Sequence, residues 1–141
     1  MTANDIASNN KIVTIFSMPS PADGDVHQRQ EKAFRSWSKL DGVRIVLITT
    51  NTDEIILRKK YPEFEYIVTS ESNCGRPYVS DVLTQGCCWT DSPYLAFVNS
   101  DISLDKTFEK TVLKLSQLKG NFLATGRRLE INSSHCLDDS A

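Results

Sequence analysis

The segment Asn99-Ser100-Asp101 has the residue types and the spacing that suit the binding of a metal ion together with phosphate. Its amide and carboxylate side chains stand on alternate residues, and alternate residues of an extended segment point to the same side. Asn99 and Asp101 together therefore suit a hard cation that bridges phosphates. The same spacing is also typical of Asx turns at strand ends. Because the segment directly follows the apolar run 94–98, we expect a binding role for it.

A second group of polar residues lies in loops and at predicted helix starts. Gln28 and Arg29 fall in the first turn of the first predicted helix, where a cation or an amide is able to face a nucleotide. Arg29 equally suits a surface ion pair. Arg76 follows Gly75 in a polar loop, and a guanidinium there is a natural partner for a phosphate. Asp81 lies one turn into the next helix and is either a ligand contact or a solvated carboxylate.

The cysteines and histidines form no recognisable metal or catalytic motif. The four cysteines are Cys74, Cys87, Cys88 and Cys136, and no Cys-x-x-Cys pair occurs among them. A zinc site that includes His135 is therefore not favoured, and reduced thiols packed as small buried residues on a helix are expected instead. His27 and His135 are expected to be exposed loop residues. No residue is identified as a general base.

The elements that must position these residues alternate along the chain. Apolar, β-branched and aromatic runs predict strands, and apolar residues at three- and four-residue spacing between them predict helices. The predicted strands are 11–17, 43–49, 65–69, 94–98 and 121–125. The predicted helices are 26–40, 52–60, 77–88 and 105–118. The order β-α-β-α-β-α-β-α-β predicts a three-layer α/β/α, Rossmann-like fold with a mostly parallel sheet of about five strands.

Ligands of open α/β sheets bind outside the carboxyl ends of the strands, where the strand order reverses. The first predicted strand ends at Ser17-Met18-Pro19 and the fourth at Asn99-Ser100-Asp101. If the strand order is 3-2-1-4, these two ends are neighbours. The sequence therefore predicts one crevice between them.

Three segments, 28–37, 94–102 and 122–128, together resemble the GT-A-type glycosyltransferase-like proteins. In that family a strand ending in Val-Asn-x-Asp takes the place of the Asp-x-Asp element. The segments occur in the family's order, and the resemblance covers roughly 11–131. A full GT-A domain continues for about 50–100 further residues that shape the acceptor pocket. The resemblance thus implies the N-terminal, donor-binding part of such a domain.

The resemblance implies binding of a nucleotide-diphospho-sugar, such as a UDP- or GDP-sugar, with Mn²⁺ or Mg²⁺ as cofactor, for glycosyl transfer to an unspecified acceptor. Asp101 matches the acid that holds the metal against the diphosphate, while Asn99 stands where many relatives have Asp. The end of the first strand corresponds to the segment that cradles base and ribose. The implied nucleotide-sugar contacts are Ser17, Met18, Pro19, Gln28, Arg29, Arg76, Asp81, Asn99, Ser100, Asp101 and Arg127.

Two other classes of protein share the predicted alternation of strands and helices. A noncatalytic flavodoxin-like or receiver-like binding or interaction module is the main alternative, but it would need an acidic cluster after the first strand, which ends at Ser17-Met18-Pro19. A dinucleotide-dependent oxidoreductase would need Gly-x-Gly-x-x-Gly at the same place, and that motif is absent. Donor binding for glycosyl transfer is therefore the expected function.

Length, composition and charge narrow the choice of partners. The chain has 141 residues, the length of about one domain, and 16 Lys and Arg against 18 Asp and Glu give a net charge of −2. A nucleic-acid partner is not expected, because no basic surface is indicated. The apolar runs are strand-sized, far below the ~20 residues of a membrane span.

We expect a disordered segment at 1–10, the domain at 11–131 and a flexible polar tail at 132–141. The chain as written is expected in the cytoplasm, or in the Golgi if a longer parent carries an N-terminal anchor.

Overall fold

Strands and helices alternate along the chain in the computed structural model, which describes residues 11–70, 75–89 and 92–129. The elements in chain order are β1 (Val13–Ser17), α1 (Asp25–Ser38), β2 (Val43–Thr50), α2 (Asn51–Lys60), β3 (Glu65–Thr69), α3 (Val79–Trp89), β4 (Tyr94–Phe97) and α4 (Lys106–Leu115). The fold is therefore α/β and Rossmann-like, as the alternating pattern predicts, but the described residues form a sheet of four strands rather than about five, flanked by four helices. No helix among the described residues has the length and apolar character needed to cross a membrane.

The four strands form one parallel sheet in the order β3-β2-β1-β4. Strand β1 pairs with β2 on one side and with β4 on the other, and its residue Val13 lies opposite Val43 of β2 and opposite Tyr94 of β4. The connection from β3 returns past β2 and β1 before β4 pairs with β1. The order therefore reverses between β1 and β4, which is the arrangement on which the predicted crevice depends.

Both faces of the sheet are covered, but unequally. Residues of α1, α2 and the start of α4 pack on one face, where eleven buried residues, among them Trp37, Phe34 and Leu47, form the larger cluster. The other face carries five buried residues, including Phe16 of β1 and Val82 of α3. This division follows from right-handed crossovers, because the two crossovers that run from β1 through β2 to β3 place α1 and α2 on the same side.

Helix α1 begins after a backbone turn that requires glycine. Gly24 precedes the helix with a φ of 71°, a left-handed conformation that costs glycine little and other residues more. The turn directs the chain from the loop after β1 into α1. At the start of α4, the Asp105 side chain accepts a hydrogen bond from the backbone N–H of Thr107 at 2.9 Å, as expected for an N-cap.

The predicted fifth strand at 121–125 is not formed. Residues 121–129 have no regular secondary structure and are exposed, with Leu123 at 92%. The ring of Phe122 lies 5.7 Å from that of Tyr94, but no strand pairing accompanies this contact. The prediction failed because a short apolar run becomes a strand only where a neighbouring strand pairs with it.

Two expectations about cysteine and histidine also need correction. Cys87 and Cys88 lie on α3 as predicted, but both are exposed rather than buried. His27 lies in the first turns of α1 rather than in a loop, and its Nδ1 is 2.7 Å from the hydroxyl of Tyr61. The predicted terminal segments 1–10 and 132–141, together with Cys74, His135 and Cys136, lie outside the described residues.

Candidate functional site

A crevice of about 260 Å³ opens at the carboxyl ends of β1 and β4, where the strand order reverses. The elements around it are the loop after β1, the first turns of α1, the loop before α3 and the end of β4. Six residues proposed from the sequence line this crevice: Met18, Arg29, Arg76, Asn99, Ser100 and Asp101. The topology thus brings together side chains that are up to 83 positions apart in the chain.

The other proposed residues do not line the crevice. Ser17 is fully buried, and its hydroxyl has no hydrogen-bond partner among the residues that the structure describes. Pro19 is buried, Gln28 is exposed on α1, and Asp81 is partly buried in the first turn of α3. Arg127 lies in the exposed segment 121–129. The crevice is therefore lined by fewer of the proposed residues than the resemblance implies.

Gln30 of α1 is the polar centre of the wall between the two loops. Its side chain is 1% exposed, and its Oε1 accepts hydrogen bonds from the Ser20 backbone N–H at 2.6 Å and from the Ser100 hydroxyl at 2.7 Å. Its Nε2 donates to the Ser20 carbonyl at 2.8 Å and to the Tyr61 hydroxyl at 3.3 Å. One amide thus joins the loop after β1 to the loop after β4 and satisfies its own hydrogen-bonding capacity.

The loop that carries Asn99, Ser100 and Asp101 is held along α1 at two further points. The indole Nε1 of the fully buried Trp37 donates to the Ile102 carbonyl at 2.8 Å. The Ser36 hydroxyl accepts from the Leu104 backbone N–H at 2.9 Å. Gln30 holds the start of this loop, and Ser36 and Trp37, about two turns further along α1, hold the rest of it. The helix therefore sets the position of the whole loop.

The loop after β1 is held from the other side by Lys60 at the end of α2. Its ammonium group donates to the Pro21 carbonyl at 2.7 Å and to the Ala22 carbonyl at 3.2 Å. It also forms an ion pair with Asp23. The hydrogen bond from Lys60 and its positive charge hold the pKa of the Asp23 carboxyl below its usual value. Lys60 is thus a positioning residue for the wall that Ser20 contributes.

Among the described residues, the charged groups that line the crevice are two arginines and one aspartate, which give this lining a net charge of +1. Arg29 comes from α1 and Arg76 from the loop before α3, and both side chains are exposed. In the part of the chain that the structure describes, neither guanidinium has an ion-pair partner. Two such guanidinium groups at one crevice suit a phosphate or another anion.

The apolar part of the lining consists of Met18, Val26 and Phe97. The Phe97 ring is 42% exposed and makes an edge contact with the Phe16 ring at 5.8 Å between centroids. An exposed aromatic ring beside cationic groups suits a ligand with both a flat apolar part and a charged part.

The residues present do not fit a resident divalent cation well. Among the described residues that line the crevice, Asp101 is the one carboxylate, while Asn99 and Ser100 are neutral. Among the described residues, no group of three or more His, Cys, Asp or Glu side chains is placed to hold a metal ion. Mg²⁺ in proteins is usually held by one or two carboxylates together with waters and substrate phosphates, and the one carboxylate that lines this crevice stands with two cationic side chains.

Sequence reasoning missed Ser20, Val26, Gln30 and Phe97, all of which line the crevice. Gln30 left a recognisable signal, because it shares the three- and four-residue spacing of Ala33, Phe34 and Trp37 on the buried side of α1. A polar residue at a core position needs hydrogen-bond partners, and these partners indicate a polar wall. The sequence gives less indication of Phe97, since an aromatic residue in an apolar strand is ordinarily part of the core.

The chain was also compared with known proteins. No protein-family profile matches it, and no curated protein matches it.

Proposed function

We propose that this α/β domain binds a nucleotide-diphospho-sugar in the crevice and serves as the donor-binding part of a glycosyltransferase. The observation that carries the proposal is the pair Arg29 and Arg76 at the point where the strand order reverses. Open parallel sheets bind nucleotides at this point. The resemblance of 28–37, 94–102 and 122–128 to GT-A-type proteins supports the sugar-nucleotide class over other phosphorylated ligands.

The size of the crevice limits which part of the ligand it holds. Its volume of about 260 Å³ is slightly below the ~300–1,000 Å³ of typical small-molecule sites. A diphosphate and one attached unit fit this space, while a whole sugar nucleotide extends beyond it. In our proposal the diphosphate faces the arginines, and the Phe97 ring faces the base or the sugar.

A thermal-shift panel tests the binding proposal. UDP, GDP and their common sugar conjugates are added at saturating concentration, each with Mn²⁺ and each with EDTA, since the resemblance implies a metal. A ligand at 100 times its Kd adds about 2.7 kcal/mol to the free energy of unfolding, which raises the midpoint visibly. A folded chain whose midpoint moves with no conjugate under either condition would overturn the proposal.

The binding site is located with a matched pair of variants. Val26→Trp places a large ring in the crevice that Val26 lines and is expected to abolish the shift. Ile55→Trp makes a comparable change on α2, where the side chain is 78% exposed, and is expected to retain it. If both variants respond to the ligand like the unmodified chain, the ligand binds elsewhere.

Release of free nucleotide from the bound conjugate, followed by chromatography, separates donor binding from transfer. Slow hydrolysis of the sugar–phosphate bond in the absence of an acceptor supports a glycosyltransferase. Binding without release supports the noncatalytic binding module instead.

A further inference from the structure

We infer that Arg29 and Arg76 neutralise the diphosphate directly, so that the crevice binds the nucleotide without a divalent cation. This inference rests on the proposed function, because it concerns how the same crevice holds the same ligand. It differs from the metal-dependent binding that the resemblance to GT-A-type proteins implies.

The first argument is the availability of the two guanidinium groups. Both line the crevice, and within the described residues neither is engaged in an ion pair. They approach from different elements, Arg29 from α1 and Arg76 from the loop before α3. Each guanidinium is able to donate two parallel hydrogen bonds to a phosphate. Two arginines that come from different elements and line one crevice therefore suit the two phosphates of a nucleoside diphosphate.

The second argument is the rigid backbone that carries Arg29. The neighbouring residue Gln30 is held by four hydrogen bonds to Ser20, Ser100 and Tyr61. The backbone at position 29 is thus fixed before any ligand arrives, and less conformational entropy is lost when the side chain contacts a phosphate.

The charges around Asn99, Ser100 and Asp101 also favour an anion over a metal ion. A cation that enters next to Asp101 meets a lining with a net charge of +1. Asn99 contributes no charge, and neither does the Ser100 hydroxyl, which donates to Gln30. A polyanion is attracted by the same net charge. The donor set of this crevice therefore suits the diphosphate better than a metal ion.

Isothermal titration of the full chain with UDP and with GDP tests the inference. Each titration is made once in EDTA and once in Mn²⁺. We expect one nucleotide to bind in EDTA, with a Kd that changes by less than about threefold when Mn²⁺ replaces EDTA. Binding that occurs in Mn²⁺ and disappears in EDTA would overturn the inference and leave the proposed function standing. Absence of binding under both conditions would overturn the proposed function as well.

Three charge variants, all titrated in EDTA, distinguish the arginine mechanism from a metal site. Arg29→Gln and Arg76→Gln are each expected to raise the Kd about 10- to 100-fold, the loss typical of a hydrogen bond to a charged group. Asp101→Asn removes a negative charge that repels the diphosphate, and it is expected to lower the Kd. A metal site instead predicts weak or no binding of the unmodified chain in EDTA, and in a parallel titration in Mn²⁺ it predicts a raised Kd for Asp101→Asn, since the one carboxylate ligand is lost.

Arg35→Gln is the matched control, because it makes the same change of charge on the exposed side of α1, outside the crevice. It is expected to leave the Kd within about twofold of the unmodified chain at moderate ionic strength. An equal loss of affinity in Arg29→Gln, Arg76→Gln and Arg35→Gln would point to net charge alone and would overturn the assignment of the two arginines.

Discussion

A single buried amide joins the two loops that form the crevice. Gln30 receives hydrogen bonds from Ser20 and Ser100 and donates to Ser20 and Tyr61. Ser20 lies in the loop after β1, Ser100 in the loop after β4, and Tyr61 directly follows α2. The position of Ser20 relative to Ser100, and with it the width of the crevice, is therefore set by one side chain.

Gln30→Met keeps the volume of this side chain and removes all its hydrogen bonds. The partners at the rim regain water while the buried ones do not, so we expect a loss of about 2 kcal/mol in the free energy of unfolding. Urea denaturation measures this loss. Gln28→Met is the matched control, because Gln28 is exposed on the same helix, and it is expected to unfold like the unmodified chain. Equal stability of the two variants would contradict the role given to Gln30.

Tyr66 links stability to alkaline pH. Its hydroxyl donates to the Tyr61 carbonyl at 2.8 Å and to the Leu57 carbonyl at 3.0 Å, and burial raises its pKa above the usual value. Burial raises the pKa of Tyr61 in the same direction. The folded chain holds these protons more tightly than the unfolded chain, whose tyrosines titrate near ~10. The resulting stability is complete below pH ~10 and is lost as the pH rises above it.

The variant Tyr66→Phe separates this effect from general alkaline damage. At neutral pH it is expected to lose about 1–2 kcal/mol, because the Tyr61 carbonyl loses the hydroxyl donor, while the Leu57 carbonyl keeps only its bond from the Tyr61 N–H. Between pH 9 and 11 its free energy of unfolding is expected to fall less steeply than that of the unmodified chain. Urea denaturation at several pH values measures both slopes. Parallel slopes would assign the alkaline loss to other groups.

Which residues meet at the crevice was largely predictable from the sequence, because the carboxyl ends of two neighbouring parallel strands carry Met18 and the segment Asn99-Ser100-Asp101. The contribution of Gln30 was not predictable in the same way. Its partners Ser20, Ser100 and Tyr61 are 10, 70 and 31 positions away, and such pairings exist only after the elements have packed.

At the scale of elements, α3 approaches β1 unusually closely. A Cβ atom built on Gly86 would lie 2.9 Å from Cζ of Phe16, closer than packed carbon atoms approach each other. The Phe16 ring is 3% exposed and rests against Phe97, so it has little room to move away. Glycine at position 86 is therefore a packing requirement of the interface between helix and sheet.

Gly86→Ala tests this requirement. Alanine improves helix propensity by up to about 1 kcal/mol, but overpacking against Phe16 costs about 1–3 kcal/mol, so we expect a net loss of about 1 kcal/mol. Urea denaturation of Gly86→Ala, Phe16→Leu and the double variant gives the coupling between the two sites. The loss of unfolding free energy in the double variant is expected to be smaller than the sum of the losses in the two single variants. A Gly86→Ala chain more stable than the unmodified one would refute the contact.

Element order and strand direction were predictable, because apolar runs such as 43–49 alternate with amphipathic helices and demand cover on both faces. The segment 121–125 shows the limit of this reasoning. Its residues have strand character, yet strand formation depends on pairing and not on composition. Pairing between distant segments is not encoded in a local pattern.

At the scale of the whole molecule, the two faces of the sheet differ in how firmly their helices are attached. Helix α1 buries Gln30, Ala33, Phe34 and Trp37. Among the described side chains of α3, Val82 is the one buried hydrophobic side chain, while Val79 and Leu83 are 59% and 47% exposed. Local stability follows buried contacts, so α3 is expected to open at lower free energy than α1.

Hydrogen exchange followed by mass spectrometry measures this difference within one sample. Backbone amides in the middle of α3 are expected to exchange at least about tenfold faster than those in the middle of α1, which corresponds to about 1.4 kcal/mol in opening free energy. Equal protection of the two helices would show that the sheet opens as one unit.

The attachment of the Asn99–Asp101 loop to α1 has a consequence for the time course of binding. Because Gln30, Ser36 and Trp37 hold Ser100, Leu104 and Ile102 through hydrogen bonds, we expect this loop to need no rearrangement before or after the encounter with a nucleotide. In a stopped-flow experiment the observed rate constant should rise linearly with nucleotide concentration and reach no plateau. The crevice would then capture its ligand at a speed set by diffusion and charge.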